Sequence, residues 1–70
     1  MAYEYVSKDK RDAGESVRVM RELEARGLRP VVVVWRPETS TVVVYFDKAL
    51  SEKEKEDLDK AMKALGYVVL

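Results

Sequence analysis

The chain has 70 residues with thirteen basic and thirteen acidic side chains, and it contains neither His nor Cys. This length predicts one domain over residues 1–70, and the missing thiols exclude disulfides and thiolate metal sites. Balanced charge makes nucleic acid an unexpected partner. No apolar run is long enough for a signal peptide or a membrane span, so we expect a soluble protein with no compartment indicated.

The first two predicted elements are a strand and a helix. Residues 2–7 (AYEYVS) alternate in polarity, which predicts a strand with Tyr3 and Tyr5 on one side and Glu4 on the other. The next segment has helical spacing as far as Gly27, which suits a left-handed C-cap. Its apolar stripe contains Ala13, Ser16, Val17, Met20 and Leu23, with Val19 at the margin.

The middle of the chain, VVVVWRPETSTVVVYF, predicts two strands joined by a turn. The loop has no Gly, which disfavours a two-residue primed turn, and Pro37 fits the second position of a type I turn. Pairing Trp35 with Thr41 gives one purely apolar face for the helices and a second face that ends in amphipathic side chains. The first face holds Val32, Val34, Val42, Val44 and Phe46; the second holds Val31, Val33, Trp35, Thr41, Val43 and Tyr45.

The last third of the chain predicts a second helix and a final strand, YVVL. Ser51 and Glu54 have the spacing of a capping box, and Gly66 fits a second C-cap. Asp59 and Lys63 have the spacing of an ion pair on the solvated side. The buried stripe of this helix contains Leu58, Ala61, Met62 and Leu65.

The element order is therefore βαββαβ, and right-handed crossovers allow two ways to close it. In an α+β, two-layer sandwich with sheet order 4-1-3-2, both helices lie on one face. In the alternative, sheet order 1-2-3-4, one helix lies on each face. For the first arrangement, the expected core contains Phe46, Val44, Val34, Met20, Leu23, Leu58, Met62 and Leu65.

The chain resembles de novo designed βαββαβ proteins in three features. These are the strong capping in SEKEKEDLDK, the helices that end at Gly in ARGLRP and ALGY, and the exposed helix faces rich in Glu and Lys. Such designs are similar to the natural ferredoxin-like fold. The resemblance implies a folded structural module with no natural ligand, no cofactor and no enzyme activity. The chain contains no Asn, Gln or Cys and has twelve Val. This composition predicts thermostability and also fits a thermophile origin.

No catalytic, cofactor or metal site is predicted, because His and Cys are absent and the acidic run over residues 52–59 reads as a solvated face. Two ligand hypotheses concern a helix start and a strand aromatic. One is an anion site at a helix start, formed by Lys8, Lys10, Arg11 and Gly14. The other is base stacking on Tyr45, which lacks the flanking basic residues that RNA-binding sheets carry.

Self-association is the remaining functional hypothesis. If both helices share one face, the other face exposes an apolar patch, and such patches usually mark an interface. We expect a homodimer through this patch or through the edge of the second strand, with no obligatory partner. The alternative function is a small interaction module, natural or engineered, that binds itself or a partner through the same two surfaces. The predicted self-association residues are Val31, Val33, Trp35, Val43 and Tyr45.

Overall fold

The structure is a computed structural model that describes residues 1–9, 12 and 14–69. The described residues form six elements in the predicted order: β1 (Ala2–Ser7), α1 (Glu15–Ala25), β2 (Val32–Arg36), β3 (Thr41–Tyr45), α2 (Glu52–Ala64) and β4 (Tyr67–Val69). The strands form an antiparallel sheet in the order β2-β3-β1-β4. The fold class is α+β, the predicted order 4-1-3-2 is confirmed, and the alternative order 1-2-3-4 is wrong.

Both helices pack on the same face of the sheet, and one hydrophobic core lies between the two layers. The central strands β1 and β3 contribute Tyr5, Val42 and Val44 to it. Most of the predicted core is buried, and Met20 and Leu65 pack at its margin. Val34 is the exception: it lies on the opposite face and is exposed. The helices contribute Val19, Leu23, Leu58, Ala61 and Met62.

The ends of the helices follow the local sequence signals. The Ser51 side chain accepts a hydrogen bond from the Glu54 N–H at 3.2 Å, and the Glu54 carboxylate accepts one from the Ser51 N–H at 3.0 Å, which confirms the capping box. Gly27 and Gly66 have φ of 84° and 92°, the left-handed conformation predicted for both C-caps. Gly14 is the N-cap of α1 and not an interior helical residue.

The buried stripe of α1 differs from the predicted one. Val17 is exposed, whereas Val19 is fully buried together with Glu15 and Leu23. The helix is rotated because the Glu15 carboxylate points inward, where it accepts a hydrogen bond from the Tyr67 hydroxyl at 2.7 Å. Ala13, which the sequence also placed on this stripe, lies outside the described residues.

Candidate functional site

The register of the hairpin decides which side chains are available for binding. Trp35 lies opposite Val42 and Arg36 lies opposite Thr41, so the predicted pairing of Trp35 with Thr41 is wrong by one residue. The loop contains residues 37–40, and Pro37 occupies the first turn position, where its carbonyl accepts the Ser40 N–H at 3.4 Å. Ser40 has φ of 52°, so a residue without glycine's freedom makes the left-handed step that the loop needs.

The corrected register divides the predicted self-association residues between two sides of the sheet. Val33 is buried in the core beneath the helices, and Trp35 packs against that core. Val43 and Tyr45 lie on the opposite face, as predicted. Val31 precedes β2 and is exposed.

The face of the sheet opposite the helices is called the uncovered face, because the described helices both lie on the other side. Cross-strand pairing arranges its side chains in rows. Glu4, on β1, was correctly assigned to this side, and Arg36 is the other charged member. The rows are Val32–Tyr45–Ala2, Val34–Val43–Glu4 and Arg36–Thr41–Val6–Val68.

Burial on the uncovered face is uneven. Val43 is 1% exposed although it does not belong to the core, because side chains of its own face surround it. Val32, Val34 and Val68 are each more than one third exposed. The face therefore has a dry apolar centre and an apolar margin in contact with water, which is the usual composition of an interaction surface.

A polar cluster joins α2 to the central strand on the helix side. The Tyr5 hydroxyl and the Lys55 ammonium both donate to Asp59 Oδ1 at 2.7 Å, so Asp59 pairs with Lys55 and not with the predicted Lys63. Burial raises the pKa of Tyr5 well above its usual range, and the Asp59 carboxylate adds to this effect. Burial also acts to raise the pKa of Asp59, but the hydrogen bonds from Lys55 and Tyr5 outweigh it, and that pKa lies below its ordinary value.

A second polar cluster fixes α1 to the end of α2 and to β4. Glu15 is buried and accepts hydrogen bonds from the Arg18 guanidinium as well as from Tyr67. Arg18 also donates to the carbonyl of Leu65 at 3.1 Å. The Tyr67–Glu15 and Arg18–Leu65 contacts join different elements, as Tyr5–Asp59 does in the first cluster, so both polar clusters stabilise the fold and use polar atoms within the chain.

The remaining candidate sites are those for metal ions and for anions. Among the described residues, no cluster of three or more acidic side chains is placed to hold a metal ion. At the predicted anion site, the Gly14 N–H donates to the Asp12 carboxylate at 3.0 Å, so an acidic side chain of the protein takes that donor. Lys10 and Arg11 lie outside the described residues.

The base-stacking hypothesis has one aromatic side chain in the expected place. Tyr45 lies on the uncovered face and is half-buried, whereas Tyr3 and Tyr5 point to the helices as predicted. Glu4 places a negative charge near the middle of the face, which opposes a phosphate backbone. The uncovered face is therefore better suited to an apolar surface than to RNA.

The sequence did not identify Val32, Val34 and Val68 as members of the uncovered face. Both sides of β2 are apolar, so the loop length had to assign them, and the predicted loop was one residue too long. The absence of Gly from the loop did not reveal that Ser40 would adopt a positive φ. Loop length was thus the missing signal.

No helix in the described part of the chain has the length and apolar character needed to cross a membrane. Comparison of the sequence with protein-family models and with curated proteins finds no match, and comparison with solved structures finds none either.

Proposed function

We propose that this protein is a small structural module of the ferredoxin-like type, without catalytic activity, that associates with a second copy of itself through the uncovered face. The βαββαβ order, the sheet order β2-β3-β1-β4 and the common face of the helices support the fold type. The designed origin that the sequence resemblance implies belongs to the same proposal, and a thermophile origin is its rival.

The observation that carries the proposal is the composition of the uncovered face. Its centre is Val43, which is dry; the exposed Val32 and Val34 lie beside it on β2, and the exposed Val68 lies two strands away on β4. A soluble monomer rarely exposes a contiguous apolar face on an ordered sheet, because apolar area in water costs about 25 cal/mol per Å². A second copy supplies a surface of the same chemistry and size.

The two charges of the uncovered face favour a symmetric pair. Glu4 on β1 and Arg36 on β2 lie on either side of β3, and the midpoint between them falls between Val43 and Thr41. A two-fold axis that lies in the plane of the interface, passes through this midpoint and is perpendicular to the line from Glu4 to Arg36 brings Glu4 over the partner's Arg36. The same axis brings Arg36 over the partner's Glu4, so both charges are compensated while the apolar centres meet.

A charge-swap experiment tests this arrangement. Sedimentation velocity over a wide concentration range should show a dimer for the unmodified protein and a shift toward monomer for Glu4→Arg and for Arg36→Glu. The double variant should dimerise again, because the reversed charges still face each other. Both residues are exposed, so thermal unfolding by circular dichroism should confirm that each variant is folded.

Two results would overturn the proposal. One is an unmodified protein that stays monomeric at every concentration. The other is a dimer that neither single variant weakens, since that dimer would use a different surface.

A further inference from the structure

The strand β2 is an edge of the sheet, and the register shows which of its backbone groups point outward. Phe46 and Met1 exchange both of their backbone hydrogen bonds, so the backbone N–H and C=O groups of Val44 and Val42 also point to β1. The backbone groups of Tyr45, Val43 and Thr41 point to β2. Their partners on β2 are Val32, Val34 and Arg36. The N–H and C=O groups of Val33 and Trp35 therefore point away from the sheet, and no strand of the described chain pairs with them.

An open groove runs along this edge between β2 and α1, with a volume of about 360 Å³. The lining from α1 includes the apolar Val17 and Met20 and the oppositely charged Arg21 and Glu24, and the strand side contributes Val31 and Val32. Val17 and Val31 are more than half exposed, so apolar side chains lie beside the outward backbone groups. Outward hydrogen-bonding groups next to an apolar groove are the elements of β-strand addition.

The same dipeptide limits β2 at both ends. Arg29-Pro30 precedes the strand, Arg36 is its last residue and is followed by Pro37, and both Arg side chains are exposed. Proline has no N–H and so ends a sheet ladder, which restricts pairing to the short apolar segment between the two positions. A positive charge marks each end of the available edge.

These charges distinguish between the possible occupants. In an antiparallel pair of two β2 edges, the Arg36 end of one copy lies next to the Arg29 end of the other, so like charges meet at both ends. A peptide with acidic ends meets opposite charges instead. The charges at the edge of β2 therefore disfavour pairing with the β2 edge of a second copy, whereas the uncovered face favours a second copy.

We infer that the groove between α1 and β2 binds an extended peptide, with a short apolar β-branched centre and an acidic residue at each end, as an added strand on Val33 and Trp35. This inference goes beyond the proposed self-association, because the peptide pairs with the outward backbone groups of β2 beside α1, whereas the second copy contacts side chains of the uncovered face. Trp35 lies on the pairing strand, so its fluorescence reports binding directly.

The test uses a blocked heptapeptide in which Val and Thr alternate between two terminal Asp residues. Two versions carry the same number of N-methyl groups. In one, the methyl groups are on amides two positions apart, which blocks one edge of the peptide and leaves the other intact. In the second, they are on adjacent amides, which blocks both edges. Strand addition predicts that the unmethylated and the first methylated peptide change Trp35 fluorescence and slow amide exchange at Val33 and Trp35, while the second does not.

A charge control uses Arg29, which is not part of the uncovered face. At low salt, Arg29→Glu should weaken binding of the Asp-ended peptide by up to about fivefold and improve binding of a Lys-ended version. Equal binding of the two methylated peptides would overturn the inference, and so would no response to the unmethylated peptide at about 1 mM. The peptide titrations use concentrations at which the protein sediments as a monomer, and they are repeated with the Val34→Lys variant, which is expected to shift the protein toward monomer. Peptide binding is then measured independently of self-association.

Discussion

Val33 and Val34 are consecutive residues of β2 that lie on opposite faces of the sheet: Val33 is 8% exposed beneath the helices, and Val34 is 37% exposed on the uncovered face. The pleat of the strand separates them, so the same substitution has two different consequences at adjacent positions.

The first prediction uses this pair as matched variants. Val33→Lys should destabilise the fold by about 3 kcal/mol or more, because it forces a charge into the core. Val34→Lys should change the free energy of unfolding by less than about 0.5 kcal/mol and shift the protein toward monomer. Urea unfolding and sedimentation velocity measure the two effects. A harmless Val33→Lys would indicate that the strand has the other register.

The second prediction concerns the core side of α2. Leu58 is fully buried between the helices and the sheet. Leu58→Ala should reduce the free energy of unfolding by about 2–5 kcal/mol, through lost burial and the cavity that remains. Leu50→Ala, at the margin of the core, is the control and should cost less. Urea denaturation provides both values, and a loss below about 0.5 kcal/mol for Leu58 would contradict its position.

The third prediction is a pH dependence that originates from Tyr5. Its pKa is raised in the folded protein by burial and by Asp59, whereas in the unfolded chain the phenol ionises near its ordinary pKa of about 10. The stabilising contribution is therefore complete below about pH 10 and declines as the pH rises further, because only the unfolded state loses the proton readily.

Tyr5→Phe should remove this contribution to the alkaline loss of stability. At pH 7 the variant should be less stable by about 0.5–1.5 kcal/mol, since the hydrogen bond to Asp59 is lost. Between pH 10 and 11 its free energy of unfolding should fall less steeply than that of the unmodified protein. Tyr45→Phe, on the uncovered face, is the control. If the free energy of unfolding of Tyr5→Phe and of the unmodified protein fell equally steeply with pH, Tyr5 would not be the source of the alkaline loss of stability.

The fourth prediction concerns the buried Glu15. Glu15→Ala should cost about 1–3 kcal/mol, because it removes an acceptor that the exposed Arg18 and the buried Tyr67 share. Glu24→Ala, at an exposed position on the same helix, should have an effect within about 0.5 kcal/mol. Chemical denaturation compares the two variants. Equal effects would show that the inward carboxylate does not stabilise the packing of α1.

The local sequence was sufficient for the features that depend on neighbouring residues. The order of the elements, the capping box at Ser51 and the left-handed Gly27 and Gly66 were all predicted from short segments and are confirmed. Crossover handedness then reduced the sheet to two orders, and the observed one was preferred because one face of the hairpin was purely apolar. Alternation in β1 also correctly oriented Tyr3, Glu4 and Tyr5.

Only the tertiary structure decided which side of β2 faces the helices and which side of α1 faces the sheet. Both sides of β2 are apolar, so its pattern alone cannot assign them. The pairing of Arg36 with Thr41 across a four-residue loop, in which Ser40 has a positive φ, places Val33 beneath the helices. The rotation of α1 depends on Glu15 reaching Tyr67, which is 52 residues away in the chain. A carboxylate reads as a surface residue in the sequence, and it becomes buried here because distant elements supply its hydrogen-bond donors.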